Sequence, residues 1–110
     1  MILRQIIKEQ CLMITRKIVD KQFENLYRDD YQKRMPVDAM RQCMEEYGHD
    51  FTMPPDAAFD NMQVYDISEN EVSVDCPLWF QNEGSDLTII INLKVVDGIV
   101  RYAIDDIHIL

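Results

Sequence analysis

The sequence predicts one α+β domain over residues 1–110: a long N-terminal helix and a second helix packed on a four-stranded antiparallel meander sheet. Three observations carry this. Apolar residues recur at three- and four-residue steps from Ile2 to Tyr27, the period of an amphipathic helix. From Met62 onward, strand-formers alternate between tight turns, the clearest being Asp97-Gly98, because an Asp-Gly pair suits the two positive φ angles of a type I′ hairpin turn. And 110 residues, 47 % hydrophobic with only three Gly and four Pro, suffice for one core without metals or disulfides.

The first helix is expected over residues 2 to about 28. Ile2, Ile6, Ile7, Cys11, Ile14, Ile18, Phe23, Leu26 and Tyr27 form its stripe, widened by Leu3, Leu12, Met13 and Val19. A stripe this wide needs cover on more than one side, from the sheet plus a second helix or a second subunit. The charged run Arg28–Arg34 reads as a solvent-facing connector. The second helix begins at Pro36, whose missing N–H needs no partner in a first turn. Its stripe is Val37, Met40, Cys43, Met44 and Tyr47, and Gly48 stands at the C′ position. Thr52–Pro55 is extended, and Asp56 can cap a single turn through Phe59.

Strands are expected at Met62–Ile67, Glu71–Phe80, Leu87–Val96 and Ile99–Leu110. The Asp97-Gly98 turn places Val96 opposite Ile99. Leu87, Ile89, Ile91, Leu93 and Val95 then share one face with Val100, Tyr102 and Ile104, and this apolar face belongs against the helices. Thr88, Ile90, Asn92, Lys94 and Val96 share the mixed, outer face with Ile99, Arg101 and Ala103. Continued without interruption, the register would send Asp106 and His108 into the core. Either a bulge near Asp105-Asp106 flips the phase, or the core face ends in an acid and a histidine. In the third link, Gln81–Asp86, Gly84 supplies φ > 0 and Ser85 or Asp86 tie back to the loop backbone. Pro77 marks an edge position or a bulge. Trp79 accordingly has two placements: outward, with Ser73 and Asp75, or turned inward by a bulge at Pro77.

The net charge of −9 is uneven. Residues 1–34 carry eight Lys/Arg against five Asp/Glu, and residues 35–110 three against fifteen. The acidic body would repel phosphate backbones, so no nucleic-acid partner is expected. The asymmetry describes either a mildly basic helix lying across an acidic sheet or an acidic surface for a basic partner. Three cysteines, Cys11, Cys43 and Cys76, are odd in number and lack C-x-x-C spacing. They read as reduced thiols of a cytoplasmic protein. The N-terminus breaks its apolar run with charges too early for a secretory signal, and no run reaches membrane-spanning length.

Pro54-Pro55-x-x-Ala58-Phe59, Pro77-Leu78-Trp79-Phe80-x-x-Glu83-Gly84-x-Asp86-Leu87-Thr88 and Tyr102-x-Ile104-Asp105-Asp106-Ile107-His108-Ile109-Leu110 resemble an uncharacterised family of small bacterial domains of unknown function. The resemblance covers roughly the C-terminal half. It implies a bacterial, cytosolic setting and brings no activity with it. The layout also resembles cystatin-like and NTF2-like folds, which host enzymes and binding modules alike.

The candidate chemical cluster is Asp105, Asp106 and His108, with His49-Asp50 as a neighbour. Carboxylates and imidazole can ligate a metal or exchange protons. The structural alternative is that Asp106 and His108 satisfy the loop Glu83–Asp86. No glycine-rich phosphate loop, G-x-S-x-G or H-E-x-x-H occurs, so neither a cofactor nor a metal is expected. Trp79 is the candidate interaction anchor, because large amphipathic aromatics dominate interface hot spots. The residues singled out for binding are therefore Trp79, Glu83, Asp86, Asp105, Asp106 and His108. Two functions follow. The first is a non-enzymatic interaction protein, of immunity or accessory type, with a protein partner or a second copy as its ligand. The alternative is an enzyme or small-ligand domain with a pocket between the first helix and a concave sheet.

Overall fold

The computed structural model describes residues 1–109, so the expected end of the last strand at Leu110 lies outside the described residues. The helical stretch is two elements, α1 (Arg4–Val19) and α2 (Phe23–Asp29). The single long helix of the sequence reading is interrupted at Asp20–Gln22. Lys21 takes a left-handed φ of 59°; its N–H bonds Ile18 O at 3.0 Å and the Gln22 N–H bonds Lys17 O at 2.8 Å. These are the two hydrogen bonds of a Schellman stop. Here a lysine holds the position glycine usually takes, which is why composition hides it.

Helix α3 (Val37–Tyr47) follows Pro36 and stops at Gly48 as expected. A Cβ at Gly48 would lie 2.4 Å from the Phe80 ring, so close approach, more than chain reversal, requires glycine there. The extended stretch contributes a short strand, β1 (Phe51–Thr52), and Asp56–Asn61 form a 3-10 turn. Asp56 does not cap that turn through its side chain. Instead Lys8 Nζ donates to Asp56 and Asp60 at 3.0 Å each, fastening α1 to the turn.

Strands β2 (Gln63–Ser68), β3 (Glu71–Phe80), β4 (Glu83–Val96) and β5 (Ile99–Ile109) complete an antiparallel sheet of five. The order is β1-β3-β4-β5, with β2 beside β1 on the same flank of β3. The hairpin register holds from Val96↔Ile99 to Ile91↔Ile104. It then shifts, so that Ile90 faces Asp106 and Asp105 is the extra residue. The bulge flips the phase: Ile107 is buried and Asp106 exposed. Of the two alternatives, the conflict in the sequence is resolved by the bulge.

The inner face is filled. Cys11, Ile14 and Ile18 of α1 meet Val74, Cys76, Leu78, Ile89, Ile91, Leu93 and Ile104, all at 0–1 % exposure. Thr15 Oγ1 donates to Cys11 O at 2.7 Å and lies 3.6 Å from Cys76 Sγ. A hydrogen bond to Cys76, added to burial, pushes the Cys11 thiol up. Among the described residues, no buried side-chain nitrogen or oxygen lacks a hydrogen-bond partner.

The connector after α2 is the largest departure from the sequence reading. Asp30, placed in a solvent-facing run, is 2 % exposed. Its carboxylate accepts the N–H groups of Gln32, Lys33 and Ile104, each at 2.8 Å, and Tyr31 N donates to Tyr102 O at 3.0 Å. The connector thus closes part of the open edge of β5, a liability in any sheet. Tyr31 reaches onto the outer face and bonds Asn92, whose amide in turn donates to Glu71 at 2.8 Å. That cover accounts for Ala103 being fully buried on a face expected to be mixed and partly solvated.

Candidate interaction site

Alternation along β3 survives Pro77: Leu78 is fully buried inside and Trp79 lies outside, partly exposed. The irregularity sits on the neighbouring strand instead. Pro77 faces Thr88 but Trp79 faces Gly84, leaving Ser85–Leu87 opposite Leu78. Ser85 Oγ donates to Leu78 O at 2.6 Å, satisfying a carbonyl that regular pairing would have used. The expected loop Gln81–Asp86 is therefore mostly strand. Its turn is Gln81-Asn82, with φ of 52° and 62°, so these residues, not Gly84, carry the positive φ.

Reading across the register, Pro77, Thr88 and His108 form one row, and Asp75, Ile90 and Asp106 the next. Trp79, Pro77 and Ile90 give this half of the outer face an apolar centre, with Asp75 and Asp106 beside it. His108 Nδ1 lies 2.8 Å from Asp106 Oδ2, while Asp106 Oδ1 accepts the Ile107 N–H at 2.9 Å. The pair is exposed, at 42 % and 57 % of its side-chain surface. It satisfies itself and is not covered by Glu83–Asp86, as the structural alternative required.

The other singled-out residues scatter. Asp105, on the bulge, meets Arg34 at 3.3 Å, and burial raises its carboxyl despite that guanidinium. Asp86 accepts the Tyr47 hydroxyl at 2.9 Å. Glu83 is exposed beside the turn, opposite Phe80. His49 lines a small cavity of about 60 Å³ with Ile18, Lys21, Met44 and Phe51, away from His108. No group of three or more His, Cys, Asp or Glu among the described residues is arranged to hold a metal ion.

A second concavity was not foreseen. Cys43, Glu46 and Tyr47 of α3 face Leu87, Ile107, His108 and Ile109 across a groove of about 350 Å³. Tyr47 and Cys43 were visible as part of the α3 stripe. Ile107 joins them because of the bulge, whose position the alternation conflict at Asp105-Asp106 did signal.

Fold and surface define a small helix-on-sheet α+β domain with a filled interior and an amphipathic outer face. The chain belongs to the family described as a domain of unknown function (DUF7668), whose model matches residues 15–110. No curated protein and no solved structure matches it. No helix is long and apolar enough to cross a membrane among the described residues.

Proposed function

We propose that this domain is a non-catalytic interaction module of accessory or immunity type. It docks a protein partner on the half of the outer sheet face that carries Trp79, in a bacterial cytoplasm. The observation that carries the reading is Trp79 itself. A tryptophan kept partly in solvent, beside Pro77 and Ile90 and opposite a glycine, adds little to the core and much to an interface. Asp75, Asp106 and the surplus of acids over residues 35–110 favour a partner with a basic rim around an apolar contact. The filled space between α1 and the sheet speaks for this over a ligand pocket there, since a drug-sized ligand needs about 300 Å³ or more.

The test is affinity purification of the tagged protein beside Trp79→Ser. A partner retained in near-stoichiometric amount by the wild type and lost by the folded variant supports the reading. The same proteins recovered equally with both contradict it.

Self-association is a second reading, favoured by Ile99 and Tyr65, which stand on the same face at 55 % and 51 % exposure. A concentration-dependent dimer in sedimentation velocity, abolished by Ile99→Asp, would establish it.

A further inference from the structure

We infer that the groove between α3 and residues Ile107–Ile109 of β5 is a second docking site, taking one large apolar side chain flanked by lysines or arginines on a partner protein. The inference rests on the interaction reading above; the groove lies around the edge of β5 from Trp79 and shares only the Asp106–His108 pair with the outer face. Its floor is apolar: Leu87 and Ile107 are buried, Cys43 is partly exposed, and Ile109 is 60 % exposed at the rim. A volume of about 350 Å³ is more than one side chain fills and takes one together with the stretch of chain that carries it.

The charge of the rim selects the flanking residues. Among the described residues, Glu46 lines the groove and no lysine or arginine does. Two further carboxylates bond lining residues without lining the groove themselves: Asp86 accepts the Tyr47 hydroxyl at 2.9 Å, and Asp106 lies 2.8 Å from His108 Nδ1. Burial first, then the nearby charges of Asp106 and Glu46, push the Cys43 thiol up. A thiol made harder to ionise is a poor nucleophile, so a negative, half-dry cleft fits cation recognition better than catalysis. Like charge around an apolar floor repels acidic or neutral competitors and draws in a basic segment.

The experiment is fluorescence anisotropy with a labelled short peptide, one leucine among lysines, titrated with the intact protein at low and physiological salt. Two control peptides replace the leucine by serine or the lysines by glutamates. Saturable binding of the leucine–lysine peptide alone is expected. Glu46→Lys should weaken it about fivefold or more, the scale of reversing one rim charge. Glu69→Lys, in the distant β2–β3 turn, should leave it unchanged. Both positions are exposed, and circular dichroism checks folding. Equal binding of the serine peptide, equal effects of the two reversals, or no saturable binding overturns the inference. So does a concentration-dependent dimer in sedimentation velocity that Glu46→Lys abolishes. Trp79→Ser should not alter peptide binding. A partner lost with Trp79→Ser while the peptide fails to bind removes the groove alone, and the converse removes the outer face alone.

Discussion

Asp30 holds three backbone N–H groups with one carboxylate, and one of them, on Ile104, lies inside the protein. Asp30→Ala should therefore destabilise by about 2–4 kcal/mol, since an orphaned buried donor costs about 1–3 kcal/mol and the connector loses its anchor. Urea titration reads this; a loss below about 0.5 kcal/mol would mean water replaces the carboxylate. Ile91, fully buried on the inner face, should lose about 2–5 kcal/mol on truncation to alanine, the range for emptying a core site. Asp105 behaves in the opposite sense. Burial raises its folded pKa above the unfolded value, so the folded state holds the proton more tightly. Stability then falls as pH rises through the carboxylate range. Asp105→Asn, which still offers an oxygen to Arg34, should be no less stable than the wild type at pH 7. Its advantage should shrink toward acid, as paired melts at pH 7 and at a pH below the carboxylate range would show.

At the scale of elements, the stops and turns decide the architecture. The α1–α2 break places a lysine at φ 59°, a conformation that costs a side chain about 1 kcal/mol relative to glycine. Lys21→Gly should accordingly stabilise by about 0.5–1 kcal/mol, and a destabilised variant would show that the lysine side chain, not the backbone, makes the stop. Much of this layer was legible. The Asp97-Gly98 hairpin, the β3 bounds Glu71–Phe80, the stop of α3 at Gly48 and the choice of inner face follow from turn chemistry and alternation, both local signals. The residue-level misses have separate causes. Lys21, Gln81 and Asn82 adopt left-handed φ without being glycine: the N–H groups of Gln81 and Asn82 are held by Asp50 O and Thr52 Oγ1 thirty or more residues away, while Lys21 sits in a stop made by local bonds alone. Asp30 is buried by a strand more than seventy residues away, and nothing in a charged run announces that. A two-residue strand, β1, exists only because β3 offers it an edge. The site was less legible: the sequence singled out Asp106 and His108 as a chemical cluster or as partners of the Glu83–Asp86 loop, whereas they bond each other, and the groove needs α3 and β5 brought together.

For the whole molecule, the interior is filled and the outer face is not. The polar network Tyr31–Asn92–Glu71 and the Asp105–Arg34 pair cover the upper part of that face, while in the other half Trp79, Pro77 and Ile90 stay partly exposed and Asp106 exposed. Site-specific photo-crosslinking in cells tests the central claim most directly, with p-benzoylphenylalanine placed at Trp79 and, as control, at Lys21 on the helical side. The account predicts a discrete crosslinked product from position 79 and none from position 21. Equal products from both positions, or none from position 79 in a folded protein, would contradict it.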